Sequence, residues 1–136
     1  MEPSTVSSYI LNLHKEFAAY TTQRLQELRL SFGLMYFVIY VGTHPNCTPS
    51  ELTKDLHLDW GHSQRSLNKL AEDGFLTKEK QGRSYRLNLT PQGQEAFVVC
   101  HQVFSDWDAL NLTALTPEEQ GQLLALLKKT VRKESV

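Results

Sequence analysis

Gln64, Arg65 and Asn68 carry the hydrogen-bonding groups that read the edges of nucleic-acid bases. A carboxamide sets a donor beside an acceptor, which matches adenine, and a guanidinium sets two donors in one plane, which matches guanine. At helical spacing Gly61, Gln64, Arg65 and Asn68 share one face, with His62 and Lys69 flanking. Ser63, Leu67 and Leu70 fall on the opposite side. The outer face has few acids before Glu72. With Trp60 at the start of the run, the candidate base-reading set is Trp60, Gly61, His62, Gln64, Arg65, Asn68 and Lys69. A solvated helix face is the plain alternative.

A second cluster follows. Residues 78–86 hold Lys78, Lys80, Arg83 and Arg86 against the single acid Glu79, a local charge of +3 in a chain whose net charge is −1. Such a tip reaches phosphates or places an arginine in a minor groove. The competing account is protection of an exposed strand edge, where lysine is common. Ser50, Lys78, Lys80, Arg83, Ser84 and Arg86 form the candidate backbone-contact set.

The flanking residues predict the elements that position these groups. Thr48-Pro49-Ser50-Glu51 reads as a capping box with proline in the first turn. The short helix it opens turns Leu52 and Leu56 inward, and Leu58 follows in the turn. Asp59 caps the next helix, from Trp60 to about Asp73, and Gly74 stops it. The period then changes. Residues 75–80, 81–83 and 84–89 read as strand, tight turn and strand, with Tyr85, Leu87 and Leu89 on a buried face. Helix, turn, helix and hairpin in this order define a winged helix-turn-helix, whose second helix enters the major groove of DNA.

Helices flank this core. Val6, Ile10, Leu13, Phe17 and Tyr20 recur at steps of three and four within residues 4–28. Ser31 is placed to cap a segment over residues 34–41, which is apolar all round and suits a buried helix or a strand. Thr90-Pro91 opens a helix whose stripe holds Phe97, Cys100, Phe104, Trp107 and Asn111, with Val103 and Leu110 at its edge. Thr116-Pro117-Glu118-Glu119 is a second capping box, and Leu123, Leu124, Leu127 and Val131 face inward behind it. Lys128, Lys129, Arg132 and Lys133 suit a helix C-terminus.

The chain resembles the MarR family of transcriptional regulators. Thr48-Pro49-Ser50-Glu51-Leu52-Thr53-Lys54-Asp55-Leu56 resembles the first helix of that family's helix-turn-helix. Residues 58–74 match its recognition helix without a gap. Leu70-Ala71-Glu72-Asp73-Gly74-Phe75-Leu76 stands where the family favours Leu-Glu-x-x-Gly-Leu-Val/Ile. Arg83 lies seven residues before Thr90, at the place of the wing arginine, and Leu89-Thr90-Pro91-Gln92-Gly93 matches Leu-Thr-x-x-Gly. There are departures. Gln81 replaces the wing acid that helps orient the arginine, and Gly82 replaces the first wing arginine. Gln64 stands where threonine is common and Ser63 where an apolar residue is common. Trp60-Gly61-His62 is an unusual start for a recognition helix, so an atypical DNA sequence is expected.

The resemblance covers nearly the whole chain. It implies a single MarR-like domain over residues 1–136: a mainly α fold with a small β-hairpin wing. The winged lobe would span about residues 31–90, and dimerisation helices about 4–28 and 91–133. It implies a homodimeric repressor on a palindromic double-stranded DNA site, released by a small aromatic effector. A monomeric helical cap is the alternative to the dimer, and a winged-helix module that binds a protein partner is the alternative function. Candidate pocket residues are Phe17, Tyr36, Phe37, Tyr40, His44, His101 and Phe104; core packing explains the same residues. Cys47, expected exposed before a capped helix, could serve as a redox thiol, although the family's peroxide sensors carry theirs near the start of the chain. His44 and His101 fall in regions the family's zinc regulators use, but Glu and Cys partners are not recognisable, so no metal and no cofactor is expected.

Enzyme chemistry finds little support. There is no Gly-rich phosphate loop, no Gly-x-Ser-x-Gly and no His-Glu-x-x-His, and Asp106 and Asp108 are spaced to point apart. Apolar residues make up 40 % of the 136 residues and charged residues 21 %, as in ordinary globular proteins. The chain is expected to be cytoplasmic, because two cysteines are too few for a disulfide scaffold and no segment reads as a signal or membrane span.

Overall fold

The structure, a computed structural model, describes residues 4–131. Its first helix, α1 (Val6–Leu25), opens at Thr5, whose hydroxyl accepts from the Ser8 amide at 3.2 Å. A 3-10 turn over Gln26–Leu28 follows, and the chain breaks where Arg29 takes left-handed backbone at φ 57°. A second 3-10 turn, Phe32–Leu34, leads into α2 (Met35–Thr43). Ser31 precedes that turn but its side chain makes no capping hydrogen bond, which corrects the expected cap. The 3-10 turn separates Ser31 from the amides it would have bonded. Residues 34–41 resolve as helix rather than strand. Met35, Phe37, Val38, Tyr40 and Val41 are buried, as a helix without a polar face requires.

Thr48 caps α3 (Pro49–Asp55) by accepting from the Glu51 amide at 3.1 Å. Only this half of the expected box forms here. The reciprocal box forms at Thr116, where Thr116 Oγ1 accepts from the Glu119 amide and Glu119 Oε1 from the Thr116 amide. His57, at φ 55°, turns the chain toward α4 (Trp60–Glu72), which Asp59 caps through the His62 amide at 3.0 Å. α4 ends in a Schellman motif. Phe75 N–H reaches the Leu70 carbonyl, Gly74 N–H reaches that of Ala71, and Gly74 takes φ 88°.

The wing is an antiparallel pair, β1 (Leu76–Gln81) and β2 (Ser84–Leu89), in register from Leu76 opposite Leu89 to Gln81 opposite Ser84. Gly82, at φ 64°, makes the turn. A third segment joins the sheet: Leu87 N–H donates to the Cys47 carbonyl at 2.8 Å, and Asn46 N–H to the Leu87 carbonyl at 3.0 Å. The buried face of β2 is shorter than its alternation implied. Leu87 is fully buried and Leu89 half-buried, but Tyr85 is exposed because the hairpin has already left the core there.

Thr90 Oγ1 accepts from the Gly93 amide at the start of α5 (Pro91–Asn111) and donates to the Gly74 carbonyl. The buried stripe of α5 is Gly93, Ala96, Cys100 and Val103, to one side of the expected aromatic row. Small residues lie directly against the core because the helix approaches closely. A Cβ at Gly93 would overlap the Phe75 carbonyl oxygen, and one at Gly42 would overlap the Phe97 ring. Phe97 is half-buried and Phe104 exposed at the flank.

The chain divides into two compact units after Phe104. In the second, Gln120 Nε2 donates to the carbonyls of Leu112 and Leu115, closing the turn before α6 (Pro117–Thr130). No residue of α6 is buried. The expected inward row of Leu123, Leu124, Leu127 and Val131 is exposed in the single chain. Arg132 and Lys133 lie outside the described residues. Among those described, no helix is long and apolar enough to cross a membrane.

Candidate nucleic-acid interface

α4 buries Ser63, Ser66, Leu67 and Leu70 and turns a polar face outward. Trp60, His62, Arg65, Asn68 and Lys69 are exposed on it, and Gly61 and Gln64 are half-buried. Trp60 is 53 % exposed in the first turn, a large aromatic surface in water. Gly61 lies close under the Arg65 guanidinium and the Asp59 carboxylate, so a Cβ there would crowd both. His62 stands edge-on to Phe37 with ring centroids 6.2 Å apart. Lys69 pairs with Asp73 at 3.1 Å along the helix, a surface contact of little energetic weight.

The wing residues fall into two groups. Lys80 and Arg83 are exposed near the turn, and Ser50 is exposed in the first turn of α3. Lys78, Ser84 and Arg86 are half-buried. Lys78 Nζ donates to Gln64 Oε1 at 3.1 Å and to Asn68 Oδ1 at 3.3 Å, and lies 5.0 Å from the centroid of the Tyr85 ring. Arg86 turns away from the tip, and its Nη1 donates to the Asn46 carbonyl at 3.4 Å. Asn46, at φ 67°, also exchanges hydrogen bonds with the Asn88 carboxamide. Sequence reasoning did not mark Asn46 or Asn88 as site residues, and took Tyr85 for a buried strand residue. The one available signal was asparagine's tolerance of left-handed backbone after Pro45.

Of the seven candidate pocket residues, Phe17 and Tyr36 both stand edge-on to Phe32, with centroids 6.2 and 6.5 Å from it. Phe17 packs on Phe104 with centroids 5.4 Å apart, Tyr40 stacks on His44 at 4.1 Å, and His101 stands edge-on to Phe97. Tyr36 and Phe37 line a crevice of about 310 Å³ with Gly33, Leu56, Leu58 and His62. The Tyr40 hydroxyl donates to Asp55 Oδ2 at 2.6 Å, tying α2 to the end of α3. Burial and that neighbouring carboxylate hold the phenol well above its usual pKa.

Cys47 is buried, contrary to its expected exposure, because its backbone pairs with Leu87 in the sheet. Burial, with Glu51 adding to it, pushes the thiol up to about 11, so it is not a thiolate at neutral pH. Burial does the same to Cys100. Among the described residues, no group of three or more His, Cys, Asp or Glu is placed to hold a metal ion.

No protein-family model matches the chain. It is 38 % identical over 128 residues to the HTH-type transcriptional regulator BilQ of Clostridium symbiosum, covering 92 % of this chain and 89 % of that one. The reduced form of MarR from E. coli superposes with a TM-score of 0.82 at 24 % identity, over 97 % of this chain and all of that one. FabT of Streptococcus pneumoniae, solved in complex with DNA, superposes at 0.79 with 21 % identity, over 92 % of this chain and 94 % of that one. The chain belongs to the MarR family of winged helix-turn-helix transcriptional regulators.

Proposed function

We propose that the protein is a cytoplasmic, homodimeric repressor that binds a palindromic DNA site through α4 and the wing. The observation that carries this reading is the two-sided character of α4. Leu67, Leu70 and Ser63 anchor one side, while Arg65, Asn68, His62 and Trp60 stand exposed on the other. Arg65 would contact a guanine edge, and Lys80 and Arg83 would reach phosphates beside the groove. Ser50 is exposed in the first turn of α3, where its hydroxyl would donate to a phosphate.

The outer helices supply the dimer. Leu124, Leu126 and Leu127 of α6 are exposed by 55 %, 61 % and 43 %, and Val6, Ile10 and Leu13 of α1 are exposed as well. Apolar surface on this scale calls for a partner. A second copy would set two recognition helices about 34 Å apart. The domain reading follows: residues 31–90 as the DNA-binding lobe, with the helices before and after it as the dimerisation element. Release would come from a small aromatic effector in the crevice beside Tyr36, Phe37 and His62. Such a compound acts only if it favours one spacing of the lobes over another.

Selection of bound duplexes from a random DNA pool at near-physiological salt tests the reading. An enriched palindrome with half-sites one helical turn apart is the expected result. No enrichment, with only weak salt-sensitive binding, would favour the alternative of a winged-helix module for a protein partner. Light scattering supplies the second measurement, with a dimer mass for the parent and a monomer for Leu124→Glu/Leu127→Glu.

A further inference from the structure

We propose that Lys78 converts the Gln64–Asn68 corner of α4 into a donor-only surface that selects guanine rather than adenine. The proposal rests on the DNA-binding reading above and specifies its base preference. Lys78 Nζ bonds the side-chain oxygens of both amides, at 3.1 and 3.3 Å. An ammonium offers donors and no acceptor, so each amide is held with its oxygen toward the wing and its NH₂ away. The Gln64 Nε2 is then buried with no hydrogen-bond partner, so Gln64 positions Lys78 and does not meet a base. Asn68 is exposed and keeps its Nδ2 donor for the groove.

Adenine is read by a donor and an acceptor together. Its N7 accepts from an amide NH₂ while its N6 amino group donates to the amide oxygen. Here one lone pair of that oxygen is taken by the ammonium, whose positive charge beside the second lone pair repels an incoming amino donor. Guanine presents two acceptors, N7 and O6. These match the Asn68 NH₂ and the remaining ammonium hydrogen of Lys78. The Tyr85 ring lies 5.0 Å from Nζ and adds to the hold on the ammonium.

The test repeats the duplex selection with full-length parent, Asn68→Ala, Lys78→Met and Lys80→Met. The base pair of interest is the one whose preference Asn68→Ala abolishes. The parent should favour guanine there. Lys78→Met should shift the preference toward adenine by about tenfold, while Lys80→Met weakens all sequences alike. If Lys78→Met only weakens binding uniformly, or if the parent already favours adenine, the proposal falls. A parent that enriches no sequence overturns the DNA-binding reading and this proposal with it. A stability cycle without DNA separates that failure from a clamp that never forms. Gln64→Glu should raise the melting temperature when Lys78 is present and not in the Lys78→Met background. Equal effects in both backgrounds would show that the two side chains do not meet, and would overturn the clamp directly.

Discussion

Ser63 Oγ lies 2.6 Å from Thr53 Oγ1, in a space closed to solvent between the two helices of the helix-turn-helix. Thr53 gives its own hydrogen to the Pro49 carbonyl at 2.7 Å. The Ser63 hydroxyl is therefore the donor to Thr53, and the two form a directed chain into the backbone of α3. This pairing explains a serine where the family commonly has an apolar residue. The polar group is tolerated because its partner stands ten residues earlier.

The order of donation makes the two substitutions unequal. Ser63→Ala removes the end of the chain and leaves Thr53 bonded to Pro49, at a cost of about 1 kcal/mol. Thr53→Val strands the Ser63 hydroxyl in a buried site and should cost about 2–3 kcal/mol. The double variant should be less destabilised than the sum of the singles. Urea unfolding of the four proteins measures this, and strict additivity would mean the bond contributes nothing.

Gly93 lies where α5 touches the turn before β1, with no room for a methyl group between it and the Phe75 carbonyl. Gly93→Ala should lower stability by about 2–4 kcal/mol, because backbone rather than a flexible side chain must move. Gly121→Ala has open space around the new Cβ in the middle of α6. It should be neutral or gain up to about 1 kcal/mol. A thermal melt that ranks the two variants the other way would contradict the packing described.

Both thiols are pushed up from about 9 to about 11 on folding, chiefly by burial. The unfolded chain therefore loses these protons at lower pH than the folded one. Stability from the thiols is complete below about pH 9 and declines as pH rises from 9 toward 11. Denaturant titrations between pH 8 and 11 should show this decline, and Cys47→Ala/Cys100→Ala should flatten it up to about pH 10, where the raised Tyr40 phenol begins a decline of its own. Neither thiol should react with an alkylating reagent at pH 7.5 until denaturant is added.

Arg65 and Arg83 should fail differently on removal. Arg65→Ala should weaken the selected site by roughly 1–3 kcal/mol and relax the preference at one base pair. Arg83→Ala should weaken all duplexes alike and reduce the salt slope by about one unit. Binding isotherms at several salt concentrations distinguish them, and parent-like behaviour of both variants would refute the docking geometry.

The features readable in the sequence are those whose partners are close along the chain. Asp59 and Thr116 bond amides three residues on, and Gly74 needs its positive φ to end α4. What the sequence concealed depends on distant partners. Lys78 meets residues ten and fourteen positions away, and Arg86 meets Asn46 forty positions away. Helical periodicity says that Gln64 faces out of α4. It does not say that a lysine from another element lies across it. Likewise the apolar spacing of α6 marks a sticky face but leaves its covering undetermined, which is why Leu123, Leu124 and Leu127 read as core and are exposed.

The pairing of Leu87 with Cys47 makes the hairpin a cantilever. Its root is clamped on two sides, by β1 and by the segment before α3, while its tip at Gly82 and Arg83 is held by the hairpin alone. A beam fixed at one end is displaced most at the other. The charged tip can follow a curved polyanion, and Lys78, bonded midway along β1 to Gln64 and Asn68, links that movement to the recognition helix. Amide exchange should map the gradient, slowest at Leu87 and fastest at Arg83.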